Sequence, residues 1–438
     1  MDRVSAHHST ISFLLISLFA LLRPIFTLDF FGQTYFFGLN FIELFGIVSS
    51  YVCMAIILVN LNKFSLSWLD VCIFLFILYV CSTFLWASDI KGGIKLVLSF
   101  SVYFAAKIVI SDRAAILRLS RLSIFGYIIP IVGSATYILL GKSAEIFVVF
   151  QTGLERYSGM YSVIHAMAHA MFVYIVFFVL YLNTSGDAAK KSKVLSIVGY
   201  LLVILAVFNI YKSGTRTVLI GLGIFIMSYF FGKKHYFRLV ALGVIGFIAI
   251  VMSGEVQDLF FDIIRPLAGQ EELDKLGSGR YGLWQGEIVS FLSQSFEIQM
   301  IGEGLGNSAS VIAGKSTFGS SHNDFIAILV TFGYLGIILY VNIIVAILVG
   351  ILRSDAERTD KWTYLGILLS VCFMNFSSNS YISRFELAQY FSLIFGMYNA
   401  CYASHVGQQK NAPRAARDRP GRDRKLFLRA ERQYTSGS

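Results

Sequence analysis

The sequence predicts an all-α, polytopic membrane protein of about twelve transmembrane helices. Three observations carry that class. Of 438 residues, 56% are hydrophobic and only 14% charged, where a soluble domain carries about 25% charged residues. The mean hydropathy is +0.69, and the apolar residues gather into long runs that can each cross a hydrocarbon core about 30 Å thick as a helix. Runs such as VCIFLFILYVC at 71–81 lack the period-2 alternation of a barrel strand. Helices and closed barrels are the structures that satisfy their backbone groups in lipid, so helices are expected.

Taken in order, the expected spans are 10–28, 38–60, 66–86, 92–111, 119–140, 161–182, 194–211, 216–232, 236–252, 323–350, 361–382 and 385–403. The run from Ile11 lacks a small-residue cleavage site followed by a soluble domain, and reads as the first span rather than a cleaved signal. Lys and Arg accumulate in cytoplasmic loops. Counting from a cytoplasmic N-terminus, the inner loops carry Arg113/Arg118/Arg121, Lys190/Lys191/Lys193, Lys233/Lys234/Arg238 and Arg353/Arg358/Lys361. These clusters alternate with the spans, so both termini are expected in the cytoplasm. The segment 404–438 is a basic tail with Pro and Gly, expected to be disordered and either attracted to anionic lipid or a topology anchor. Cys53, Cys72, Cys81, Cys372 and Cys401 all fall in apolar segments and read as small fillers, with no disulfide or zinc framework.

The connection 253–321, between spans nine and ten, is the long one and faces outward. Loops of this length are usually functional. Its stretches VQDLFFDIIRPLAG and EELDKLGSGRYGLWQGEIVSFLSQSF read as amphipathic helical pieces, and IGEGLGNSASVIAGKSTFGSS as a glycine-rich irregular segment. The connection ends at His322, where span ten begins. The domain organisation is thus a helical membrane domain over 1–403, with a core over 213–338.

Positive-inside bias explains the inner basic clusters but works against Arg156, Lys212, Arg216, Arg265, Arg280 and Arg384, each near an outer helix end. Arginine presents a planar fork of donors that suits phosphate oxygens. At the membrane surface such residues suit the pyrophosphate of a lipid carrier. In SGTR the turn opens a span, so Arg216 lies near a helix N-terminus that itself favours an anion. The alternative for each is an arginine that snorkels and sets helix depth.

An imidazole with an ordinary pKa of about 6.5 can accept a proton near neutral pH, so His322 suits a general base for a sugar hydroxyl. Asn323 can orient a hydroxyl or cap the helix. Asp324 favours the same helix N-terminus. The alternative for His322 is a cap or interface residue. His165 and His169 stand at i, i+4 in HAMAH; with no third ligand cluster and no HExxH, a polar stripe facing a cavity is the preferred reading over a metal site. Gly302, Gly304 and Gly306 resemble a phosphate loop only superficially, because strand–turn–helix context is missing.

The order of these motifs resembles the bacterial O-antigen ligase and polymerase superfamily: RxxG at Arg156–Gly159, SGTR at Ser213–Arg216, GRxxxW at Gly279–Trp284, GEGLGN, and HNDF followed by GxxG. The likeness is strongest from Ser213 to Ile338, while the first 150 residues look like generic spans. The resemblance implies a metal-independent, cofactor-free glycosyltransferase of the GT-C-like type in the bacterial inner membrane. Its donor would be an undecaprenyl-pyrophosphate-linked glycan at the periplasmic face, and its acceptor a glycan or lipid A–core. On that pattern Arg216 and Arg280 match the pyrophosphate arginines, and His322 the base that activates the acceptor. Arg156 is a looser match, and Lys212 is added by position. The bilayer, and chain-length regulator or flippase proteins, are the further partners; no nucleic acid is expected. Repeat-unit polymerisation is the first expectation and ligation the second. A flippase or transporter is the rival class, but a major-facilitator transporter has its long loop inside, between spans six and seven, and a basic glycine/aspartate signature where this chain has NLNKFSLSW.

Overall fold

Helix caps set the elements. Asn40, Asp89, Asp112 and Asn323 each accept a backbone N–H from the first turn of the helix that follows, and Ser67 with Asp70 forms a reciprocal capping box. In the computed structural model, which describes residues 2–36, 38–148, 155–185, 193–241, 243–244, 280–306, 322–378 and 384–403, the main helices are as follows. They are α1 (Asp2–Leu22), α2 (Phe41–Val59), α3 (Trp68–Thr83), α4 (Ile90–Val109), α5 (Arg113–Leu139), α6 (Ile164–Ser185) and α7 (Lys193–Ser213), then α8 (Arg216–Gly232), α9 (Arg280–Leu292), α10 (Phe296–Ile301), α11 (Asp324–Arg353), α12 (Arg358–Ser377) and α13 (Phe385–Tyr398).

The chain is a mostly helical membrane protein. Among the described residues six helices, α2, α4, α5, α6, α7 and α11, are long and apolar enough to cross a bilayer, and α3, α8 and the Thr10–Leu22 part of α1 are shorter apolar helices. The expected span 236–252 falls largely outside the described residues, as do 253–279 with Arg265, 307–321 and the tail 404–438. Two short antiparallel hairpins depart from the all-α expectation: β1 (Tyr35–Phe36) with β2 (Leu39–Asn40), and β3 (Ile146–Val148) with β4 (Glu155–Tyr157). Both sit in connections between helices, where strand pairing satisfies backbone groups that a helix no longer satisfies.

Helix α6 is the hub. Of its membrane window 89% is buried, against 28% for α2 and α7. It packs on α5 and α7, while α8 pairs with α12, α4 with α13 and α2, and α11 with α3. Small residues permit the close seams, as at Gly396 of α13, where an added Cβ would lie 2.6 Å from the Tyr103 carbonyl of α4.

Helix α11 is broken rather than continuous. Gly333 has φ 65° and ψ −168°, a region open essentially to glycine. The break frees the carbonyls of Val330, Thr331 and Phe332. A backbone strap after α10 takes them up: Glu303 N–H donates to Val330 O (3.2 Å) and Gly304 N–H to Thr331 O (2.9 Å). The Tyr79 hydroxyl of α3 reaches both Phe332 O (2.8 Å) and Ile301 O (2.9 Å). The glycines of GEGLG are therefore structural. A Cβ on Gly302 would fall 2.2 Å from Thr331 O.

The helix ends sort into two polar layers. One holds Arg113, paired with Glu357 and Asp360 at 3.0 Å, Arg358 against Phe231 O, and the Tyr402–Asp360 hydrogen bond. Most of the basic clusters assigned to inner loops begin or end here. The opposite layer gathers the C-terminal end of α1 and the N-terminal ends of α2, α6, α8, α11 and α13, and holds the candidate site.

Candidate functional site

His322 precedes the cap of α11 and has φ 49°. Among the described residues only Lys234 shares a positive φ without being glycine. Left-handed backbone at a residue other than glycine costs roughly 1–3 kcal/mol and gathers at functional sites. Asn323 then caps the helix: its Oδ1 accepts from Phe325 N–H (3.0 Å) and Ile326 N–H (3.2 Å), and the residue is buried. Of the two roles expected for Asn323, the structure displays the cap. This clamp fixes the chain direction directly after His322, which is half-buried.

Asp324 is fully buried in the first turn of α11 and attracts Arg384, the residue that leads into α13. Burial pulls the Arg384 guanidinium below its usual range, opposed by the carboxylates of Glu386 and Asp324. Arg384 in turn acts on His169 of α6. His169 Nδ1 meets the His165 carbonyl at 2.7 Å, and His165 Nδ1 meets Thr215 Oγ1 at 3.3 Å. The HAMAH pair is thus a polar stripe between two helix starts, with His169 buried and His165 half-buried. Among the described residues no group of three or more His, Cys, Asp or Glu side chains is placed to hold a metal ion.

Thr215 and Arg216 open α8 after Gly214, whose φ of 60° turns the chain. The Arg156 side chain, on β4 opposite Phe147, packs on Gly214; an added Cβ there would meet its Nε at 2.8 Å. So Arg156, Thr215, His165, His169, Arg384 and Asp324 form one connected set that leads to Asn323 and His322. Lys212, in the last turn of α7, lies with its Nζ 5.6 Å from the Tyr211 ring centre.

Arg280 is the first residue of α9. One turn later Trp284 stacks edgewise on Phe376 of α12 (5.5 Å), and Phe291 meets Tyr334 of α11 (5.5 Å). Between α9 and α11 runs an apolar groove of about 480 Å³, lined by Trp284, Ile288, Phe325, Leu329 and Val341, with Asn323 at its polar edge. It extends from the start of α11 past the break at Gly333.

Two charged residues of this end escaped the sequence reading. Arg23, at the end of α1, is fully buried, and Glu386 faces it from the first turn of α13. A signal for Arg23 was present, since it breaks the same positive-inside bias that singles out Arg216.

Residues 201–341 match a family model described as O-antigen ligase. The matched stretch contains Lys212, Arg216, Arg280, His322 and Asn323, and leaves Arg156 and Arg384 outside. No curated protein matches the chain.

Proposed function

Residues 201–341 belong to the O-antigen ligase/polymerase superfamily of membrane-bound glycosyl-transferring enzymes, and from that premise we propose a specific reaction for this chain. It takes a glycan from an undecaprenyl-pyrophosphate donor at the periplasmic face of the bacterial inner membrane and joins it to another lipid-linked repeat unit. About twelve spans of GT-C-like topology, both termini in the cytoplasm and the connection 253–321 outside belong to this proposal. The basic clusters at the opposite end of the bundle support that orientation.

The observation that carries the reading is the placement of His322. An imidazole is held in a strained conformation at a capped half-helix, beside an apolar groove that runs along α11 from Asn323 to Val341. In the proposed step His322 removes the proton of the acceptor hydroxyl as its oxygen attacks C1 of the donor sugar. The C1–O bond to pyrophosphate breaks on the opposite face, which inverts the anomeric centre. Arg216 and Arg280 stabilise the departing pyrophosphate by charge-assisted hydrogen bonds, with Arg156 and Lys212 adding positive potential. The polyprenyl chain occupies the groove, and no metal or cofactor takes part in this scheme.

A second reading, transfer of the finished glycan to lipid A–core, has the family description in its favour. It uses the same donor chemistry. The test is reconstitution of purified protein in liposomes with a lipid-pyrophosphate-linked repeat unit as sole sugar substrate. A ladder of lengthening glycans is expected. Product that forms only after lipid A–core is added would establish the ligase instead. His322→Asn retains a residue tolerant of the left-handed region and should abolish transfer, as should His322→Ala. Full activity in both variants would overturn the assignment of the base.

A further inference from the structure

The outer end holds a second cavity, of about 110 Å³, distinct from the apolar groove and lined among others by Thr27, Tyr161, Arg384, Glu386 and Tyr390. Its chemistry differs from a lipid-facing seam. Tyr161 and Tyr390 are each 1% exposed; Thr27 and Tyr127 are the neighbouring hydroxyls that act on them, and neither phenol completes a hydrogen bond of normal geometry among the described residues. Behind this wall Arg23 donates Nη1–H to Ile42 O at 3.1 Å, while its Nε and Nη2 have no hydrogen-bond partner among the described residues. Glu386 attracts both Arg23 and Arg384. The Phe45 and Phe385 rings flank the Arg23 guanidinium at 5.8 and 5.9 Å.

Buried polar groups are costly unless they are hydrogen-bonded. Two phenols, a carboxylate and a guanidinium around one small space call for an occupant rich in hydroxyls, able both to donate and to accept. An anion would meet Glu386, and an alkyl chain would offer neither phenol a hydrogen bond. A sugar ring fits this donor and acceptor set, and the size suits a single ring.

Position decides which sugar. The groove lies along Phe325 and Leu329 of α11, whereas the cavity is walled by Arg384 and the starts of α6 and α13, and Asp324 in the first turn of α11 attracts Arg384 from the same outer end. The polar cavity and the apolar groove thus share one end of the bundle without sharing a wall. We propose that this cavity is the subsite for a sugar ring of the acceptor glycan. Tyr161, Tyr390, Arg384 and Glu386 bind its hydroxyls, and Arg23 holds Glu386 in place. This assignment rests on the glycan-transfer reading above.

The test measures binding, not turnover. Purified protein in nanodiscs is titrated calorimetrically with three probes: the repeat-unit oligosaccharide released by partial acid hydrolysis of the host's own polysaccharide, deacylated core oligosaccharide, and farnesyl pyrophosphate. The Tyr161→Phe/Tyr390→Phe variant removes two oxygens and keeps both rings. Ala166→Leu, on the cavity wall, fills the space without touching a polar group and decides the matter if the double variant loses its fold. We expect at least tenfold weaker oligosaccharide binding in both variants and unchanged farnesyl pyrophosphate binding. Equal oligosaccharide affinity in wild type and a folded variant would overturn the subsite. So would the lack of any oligosaccharide binding by wild type that binds farnesyl pyrophosphate, with the donor reading left standing. Variant-sensitive oligosaccharide binding without farnesyl pyrophosphate binding would keep the subsite and defeat the lipid-pyrophosphate reading.

Discussion

Replacing Gly333 by Ala tests whether the break in α11 positions the site. At φ 65° and ψ −168° an alanine pays roughly 1–3 kcal/mol in backbone strain. Its Cβ would also fall 2.5 Å from both Gly302 N and Met300 O, closer than packed atoms tolerate, so the strap must withdraw. Withdrawal loses the bonds from Glu303 and Gly304 to α11, each contributing about 0.5–1.5 kcal/mol. The sum is a destabilisation on the order of 2–6 kcal/mol. Gly350 supplies a control within the same helix. A Cβ there meets nothing within 4 Å, and helix propensity favours Ala over Gly by about 0.8–1.0 kcal/mol. Thermal unfolding of both variants in one detergent at one scan rate, together with the glycan-transfer assay of the proposed reaction, gives the comparison. Gly350→Ala should match or exceed wild type in both, whereas Gly333→Ala should melt several degrees lower and lose most transfer. If the two variants behave alike, the strap does not hold the half-helix and the argument fails.

Three further outcomes follow from the same geometry together with the proposed reaction. Asn323→Ala removes the cap of α11 and should cost about 1 kcal/mol in unfolding together with activity, while Asn323→Ser, which keeps an oxygen acceptor, should recover most of both. Arg216→Lys and Arg280→Lys keep the charge but lose the planar fork, so each should raise the KM for the lipid donor about tenfold or more, the change expected for about 1.4 kcal/mol. Trp284→Ala opens the groove wall. It should weaken binding of long polyprenyl donors more than of farnesyl analogues, as read from competition between donors of different chain length; equal weakening would argue against a lipid tail in the groove.

What could be read from the sequence was local in cause. Hydropathy marked the helices, and the segment HNDF offered both a histidine at a helix start and, in Asn323, a candidate for the cap that follows it, while the caps at Asn40, Ser67, Asp89 and Asp112 emerged with the structure. The break at Gly333 was not legible. A glycine within an apolar run is equally consistent with close helix packing, and here its meaning depends on Gly302, Gly304 and Tyr79, which are distant in sequence. Arg156 shows the same limit: its seat on Gly214 depends on a hairpin that neither strand announces. Arg23 had a local signal, the charge at an outer helix end, but its burial against Glu386 depends on how α1, α2 and α13 meet.

The break also sets depth. The inner part of α11, residues 334–353, is about 30 Å long at 1.5 Å per residue, enough by itself to cross the hydrocarbon core. The outer part, 324–332, adds about 13 Å. With that part filling the core, Gly333 falls near the edge of the hydrocarbon, where freed carbonyls must be met by protein, and His322 stands in the headgroup layer and beyond. In the proposed reaction that is the height at which the first sugar of a membrane-anchored pyrophosphate emerges. On that reading the extra turns of α11 act as a spacer that matches the reach of the proposed base to the length of the donor's headgroup.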